Sequence, residues 1–235
     1  TYFYVLTPDG ALQTVGMLFS PGYPGFLRGV TAAGPGEFVV TTSGGQVARY
    51  RPGAGETDYL ATDLDQLYGV AVDADGGIVF AELGTGRVHR LRAGTVETLA
   101  SGLREPIGVA FDGDGAPLVA ESGAGRVVRL TGAGTDTVVD GLQRPQGILV
   151  RDGRLYIVDA GAKELVEVDL DTKARTAIAT GLPVGPPPGV EPKPLKGMPP
   201  FSGPQGPFAG IAAGPDGTVY VSADGDGSVL AVRRT

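Results

Sequence analysis

The chain of 235 residues has no cysteine, no asparagine and one histidine, His89. Without cysteine there are no disulfides, no thiolate chemistry and no thiolate metal site, and the redox compartment cannot be read from the sequence. Basic residues are the minority. Lys and Arg total 19 against 26 Asp and Glu, leaving a net charge of −7. That balance excludes the basic face a nucleic-acid partner needs and favours solubility. No run approaches the roughly 20 apolar residues that cross a bilayer, so membrane insertion is not expected. The start Thr1-Tyr2-Phe3-Tyr4 lacks the basic and leucine-rich regions of a leader. Localisation stays open. A chain that starts without Met, halfway through a repeat, is expected to be a processed or excised piece of something longer.

Glycine and proline are abundant, at 40 and 19, but 42% hydrophobic content supplies a core, so the glycines read as turn punctuation rather than as disorder. Five stretches share one pattern: Arg28-Gly29-Val30, Tyr68-Gly69-Val70, Ile107-Gly108-Val109, Gln146-Gly147-Ile148 and Ala209-Gly210-Ile211. Their glycines are 40, 39, 39 and 63 residues apart. The period is therefore 39 to 40, with one repeat enlarged by about 24 residues. Within residues 67–105, turn signals separate four strands: Gly69 to Val72, Ile78 to Glu82, Arg87 to Leu91 and Thr95 to Leu99. First strands such as Gly147-Ile148-Leu149-Val150 are apolar throughout, which suits burial on both faces. Third strands such as Arg87 to Leu91 and Glu164 to Val168 alternate, which predicts one wet face.

Four antiparallel strands per 40 residues predict an all-β fold, a β-propeller of four-stranded blades around a channel. Units beginning at residues 26, 67, 106, 145 and 208 give five blades, with six as the alternative. Tyr2 to Leu6 and Leu12 to Met17 read as third and fourth strands, and Gly210 to Val232 as first, second and third. The ring is predicted to close by pairing of these terminal strands, removing exposed edges, although one strand is then left over. Residues 1–235 are taken as one domain, with residues 183–207 as a Pro/Gly-rich loop inserted between blades.

The strings VAVDADG (70–76), VFAELGTGRVHRL (79–91) and LVAESGAGRVVRL (118–130) resemble NHL-repeat and streptogramin-lyase-like propellers over about residues 26 to 235. The resemblance implies the fold. Lyases of this type use a histidine before a repeat glycine, with a glutamate and magnesium. Here positions 28, 68, 107, 146 and 209 hold Arg, Tyr, Ile, Gln and Ala. Gluconolactonase-like propellers use a glutamate, asparagines and an aspartate around calcium or zinc, and asparagine is absent. NHL-like propellers often serve as sensor or scaffold modules of larger proteins.

Three sets of residues are candidate sites. The insertion Leu182 to Phe208 carries ten prolines, which favour stiff extended backbone. It lies on the face that also bears Ser20 to Gly25, and reads as a lid over the channel or as an interaction strap. The residues before the repeat glycines ring the channel mouth, where Arg28, Tyr68 and Gln146, with Phe208, offer a cation, a phenol, an amide and a ring to a ligand. Acids end the second strands: Glu82, Glu121, Asp159 and Asp224, with Ser43 in the first unit. Glu82 and Glu121 are expected to pair with Arg87 and Arg126 across their hairpins. Asp159 and Asp224 lack that arginine and are the freer pair. Asp73-x-Asp75-Gly76 and Asp112-x-Asp114-Gly115 read as hairpin turns rather than calcium loops. His89 reads as a surface or interblade residue.

These features favour a non-catalytic binding, sensor or scaffold module that takes a protein, peptide, glycan or small molecule on the insertion face without a cofactor. The alternative is a metal-dependent lyase or lactone hydrolase, with a divalent cation (calcium, magnesium or zinc) held by Asp159 and Asp224.

Overall fold

The computed structural model describes residues 2–7, 9–17, 26–187, 189–190, 206 and 208–233. Among them no α-helix forms, and a single 3₁₀ turn spans Ser122–Ala124. A hairpin of β1 (Tyr2–Leu6) and β2 (Leu12–Met17) comes first. Blade 1 follows with β3 (Leu27–Gly34), β4 (Glu37–Thr42), β5 (Val47–Arg51) and β6 (Glu56–Ala61). Blade 2 comprises β7 (Leu67–Val72), β8 (Ile78–Glu82), β9 (Arg87–Arg92) and β10 (Thr95–Ala100). Blade 3 comprises β11 (Pro106–Phe111), β12 (Pro117–Glu121), β13 (Arg126–Thr131) and β14 (Gly134–Val139). In blade 4, β15 (Pro145–Arg151) precedes β16 (Arg154–Asp159), β17 (Glu164–Asp169) and β18 (Arg175–Thr180). Blade 5 has β19 (Ile211–Ala213), β20 (Val219–Ala223) and β21 (Ser228–Val232). Each blade is an antiparallel meander in chain order. The first strands β3, β7, β11, β15 and β19 lie successively side by side around the axis. This is a five-bladed β-propeller with no sixth blade among the described residues.

The core lies between blades rather than at the centre. Ile78 and Phe80 of β8 pack towards blade 1 with Val39 and Val47, while Val79 and Ala81 of the same strand pack towards blade 3 with Val119 and Val128. Period-2 alternation therefore sends apolar side chains to both neighbours. For the same reason the third strands of blades 2 to 4 have no wholly wet face. In β17 Leu165 to Val168 are all buried, and Glu167 is tolerated there by an ion pair with Arg154 at 2.5 Å. In β9 His89 is buried between blades 1 and 2, its ring 5.4 Å from that of Phe80.

The repeat glycines control how closely the inner strands approach. The β7/β8 register shifts between Leu67 and Val70, and the same irregularity recurs in blades 1, 3 and 4. Each pair of a mouth residue and its glycine thus sits in a bulge, which re-aims the preceding side chain. A Cβ on Gly69 would lie 2.4 Å from Ile107 O of the next blade, and one on Gly108 2.1 Å from Gln146 O. Gly29 and Gly147 stand in the same relation to Tyr68 O and Ala209 O.

Ring closure differs from the expectation. The terminal strands do not pair: β1–β2 is a sheet of its own, and β19–β21 another. The hairpin instead packs face-on against blade 1, with Phe3 4.5 Å from Tyr50 and 6.0 Å from Phe38 between ring centroids. Burying Phe3 on this aromatic patch wins over edge pairing, and it accounts for the leftover strand. The glycine geometry gives a differential test. Gly108→Ala should cost about 1–3 kcal/mol in urea unfolding, by forcing two inner strands apart. Gly210→Ala, whose nearest obstacle is the flexible Ser222 Oγ at 3.2 Å, should stay within about 0.5 kcal/mol.

Candidate ligand site at the channel mouth

The loops from second to third strands meet the between-blade connections on one face. Leu83 N donates to Gln66 O at 3.0 Å, Leu103 N to Gly86 O at 3.0 Å and Leu142 N to Gly125 O at 2.9 Å. The acids at the second-strand ends clamp this layer. Glu82 accepts the Asp65 amide at 2.7 Å and Glu121 the Arg104 amide at 2.9 Å. Asp159 accepts the Gln143 and Arg144 amides, each at 2.8 Å, and Asp224 accepts the Gly185 amide at 2.8 Å. In blade 1 Ser43 Oγ accepts the Phe26 amide at 2.9 Å. Ser43 and Asp224 stand one residue beyond their strands yet perform the same task.

The clamps revise the expected roles of the acids. Arg126 pairs with Glu121 at 2.6 Å as expected. Glu82 instead takes His89 Nε2 at 2.9 Å and the Thr85 hydroxyl, because His89 sits beneath it on the same strand pair while Arg87 turns out to solvent. Burial alone would raise the Glu82 pKa, but hydrogen bonds from Thr85, His89 and the Asp65 amide outweigh it and hold the carboxyl below its ordinary value. Asp159 is not a freer acid: it is fully buried, and both its oxygens accept backbone amides. Asp224 lines the channel but is tied to Gly185. Among the described residues no three His, Cys, Asp or Glu side chains stand together as metal ligands. Asp159 and Asp224, the acids expected to hold a divalent cation, are both engaged by backbone amides, whereas such an ion takes several oxygen ligands. Asp73 and Asp112 each accept two amides of their own hairpin, as turn residues do.

The mouth residues divide into two groups. Gln146 is buried, and its Oε1 accepts the Ala209 amide at 2.7 Å, stitching blade 4 to blade 5. Arg28, Tyr68 and Phe208 form a cluster. The Arg28 guanidinium lies 5.2 Å from the Tyr68 ring centroid, and Phe208 meets that ring edge-on at 5.6 Å and 80°. Arg28 also donates to Gly206 O at 2.9 Å. Burial pushes the Tyr68 phenol above its ordinary pKa, with Glu105 adding to the rise and Arg28 opposing it, so the phenol stays neutral at physiological pH. Beneath the cluster lies a cavity of about 550 Å³ lined by the repeat glycines and by Val70, Val109 and Ile148.

The insertion is anchored at both ends. Gly185 is held by Asp224, and Gly206 and Phe208 return over Arg28 and Tyr68. Most of its middle (188, 191–205 and 207), like Ser20 to Gly25, lies outside the described residues. The Gly206 carbonyl, and Glu105 with its Arg144 partner at 3.4 Å, were not singled out in the sequence. Glu105 carries a signal all the same, since it precedes Pro106 at the head of a first strand.

No family model and no curated protein matches the chain. Solved structures do. A streptogramin B lyase structure shares 15% identity at a TM-score of 0.66, covering 97% of this chain and 70% of that one. A candidate gluconolactonase gives 17% and 0.62, covering 98% and 82%. A chain of a nidogen/laminin complex gives 17% and 0.73, covering 97% and 83%. In fold this is an NHL/streptogramin-lyase-like propeller. Identities this low carry the architecture alone.

The buried Glu82 makes a pH prediction. A carboxyl held below its unfolded pKa stabilises the fold above that pKa, and the contribution is lost as pH falls through the folded value. The wild-type propeller should therefore lose stability on acidification below about pH 4.5 more steeply than Glu82→Gln, while Glu82→Gln should already be weaker at pH 7 by about 1–3 kcal/mol. Urea midpoints from pH 7 to 3 check both.

Proposed function

We propose that this propeller is a non-catalytic binding module, and that it grips an extended peptide at the channel mouth between the Arg28–Tyr68–Phe208 cluster and the returning insertion. The observation that supports this most directly is the convergence of three side chains from blade 1, blade 2 and the insertion over a Val- and Ile-lined cavity. Such a mouth suits a ligand with an apolar tip to enter the cavity and a polar end to meet Arg28. Aromatic and Arg anchors dominate binding energy where they are desolvated. The acids that would supply chemistry are engaged in backbone clamps, and the neutral Tyr68 phenol is no base. A chain matched here belongs to a nidogen/laminin complex, which makes protein binding by this fold a natural comparison.

Panning a random peptide phage library against the full chain, followed by calorimetry of the selected peptide, tests the reading. Tyr68→Ala and Phe208→Ala should each weaken binding at least tenfold, roughly the 1.4 kcal/mol expected of an anchor. Replacing residues 186–205 by a short Gly/Ser linker, which keeps the Gly185 clamp and buried Leu182 and Val184, should do the same. Unchanged affinity in all three would overturn the site. Stoichiometric calcium, magnesium or zinc lost in Asp159→Ala/Asp224→Ala would favour the metal-dependent lyase or hydrolase instead.

A further inference from the structure

In blades 2, 3 and 4 one face of the second strand packs onto the following blade. Val79 and Ala81 of β8 meet Val109 and Val119, Leu118 and Ala120 of β12 meet Ile148 and Ile157, and Tyr156 and Val158 of β16 meet Val219 and Val221. The same face of β20 is written differently. The turn bond from Gly214 N to Thr218 O matches that from Asp73 N to Gly77 O, so Tyr220 and Ser222 take the places of Val79 and Ala81, and Asp224 follows two residues on. Between them Val219, Val221 and Ala223 are buried with the residues of blade 4. Period-2 alternation therefore puts a phenol, a hydroxyl and a carboxylate on one side of one strand. All three line the cavity of about 550 Å³ beneath the mouth.

That cavity is apolar with one charge of each sign. Among its described lining residues Arg28 and Asp224 alone carry full charges, and Val70, Val109, Ile148 and Ile211 supply an aliphatic wall. Asp224 spends Oδ1 on the Gly185 amide and keeps Oδ2 without a hydrogen-bond partner among the described residues. Ser222 Oγ accepts the Gly210 amide at 2.6 Å and has a second lone pair for another donor. A carboxylate beside a hydroxyl favours a donor that is itself charged, because hydrogen bonds of that kind are the strong ones. An anionic group is repelled from the same place.

We infer that this face of β20 is an ammonium subsite that takes the free N terminus of the peptide proposed for the mouth. The α-ammonium sits on Asp224 Oδ2 and Ser222 Oγ, the first side chain lies on Val70, Val109 and Ile148, and the chain runs out past Arg28 and Phe208. An α-ammonium carries its side chain one carbon away. A single apolar first residue can therefore meet the carboxylate and the aliphatic wall together, and an acidic residue further along can meet Arg28. Capture of a terminal amine is one of the recurring modes of peptide recognition. The inference rests on the peptide reading of the mouth, but the groups that carry it are different ones.

The probe is leucinamide, titrated into the full chain by calorimetry at about pH 6, where an α-amino group is protonated. Saturable 1:1 binding is expected. N-acetyl-leucinamide, which keeps the side chain and loses the charge, should bind about tenfold more weakly or worse. N-acetyl-lysinamide presents its ammonium on a side chain and should also bind more weakly; tighter binding of it would overturn the N-terminal assignment. Asp224→Asn keeps an oxygen for the Gly185 amide and removes the charge, so it should weaken leucinamide by about tenfold while that amide stays protected from hydrogen exchange. Equal binding of the free and acetylated probes, or of variant and wild type, overturns the subsite. Displacement of leucinamide by calcium would assign Asp224 to a metal and overturn it too. The mouth and the subsite fail separately. If a selected peptide is lost in Tyr68→Ala while wild type takes no leucinamide, the subsite is wrong and the mouth stands; leucinamide bound as expected, with the peptide indifferent to Tyr68→Ala and Phe208→Ala, gives the reverse.

Discussion

Everything in this disc follows from how closely one inner strand can approach the next. At four blade junctions a glycine faces a carbonyl at a distance that leaves no room for a Cβ. The approach sets the width of the channel, and it places the residue before each glycine in a bulge at the mouth. A side chain at any of these glycines would open the junction and unseat the interblade cluster beyond it. The core is a series of such layers, each shared by two blades, so stability is assembled between neighbours as in other repeat proteins.

The second-strand acids hold the loop face to this frame. Each clamp joins a strand end to the connection that enters the same blade, so the mouth rests on backbone hydrogen bonds and not on loop sequence. That explains how one connection can carry a long insertion. Residues 186–208 leave immediately after the clamped Gly185 and return at Ala209, whose amide is fixed by Gln146 and whose carbonyl is fixed by Gly147. Closing a longer loop between two fixed ends adds little entropy cost. The excursion therefore leaves blade 5 undisturbed, while its returning end brings Phe208 onto Tyr68.

The period, the strand count and the hairpin turns were legible because glycine spacing and Asp-Gly turns are local signals. Arg28, Tyr68 and Phe208 were legible as mouth residues for the same reason. Their division from Gln146 was not, since that depends on Ala209 arriving from beyond a 63-residue gap. Glu82 and Arg87 face each other in register, so a sequence reading pairs them; the buried His89 claims the carboxylate while the Arg87 side chain turns out to solvent. Alternation in the third strands suggested a wet face, but in a propeller both faces meet a neighbour. Charged residues such as Glu167 survive there only with a partner.

The exposed Val30 and Val229 show what a repeat sequence does and does not encode. Val30 and Val229 are the residue types found at their buried counterparts, although both are exposed. Residue identity is thus written for the repeat and not for the place in the ring. A wet blade face would be expected to alternate apolar with polar residues. Blade 5 partly does so, with Ser222 where blades 2 and 3 have Ala81 and Ala120, but Val229 and Val30 keep the pattern of strands packed on both sides.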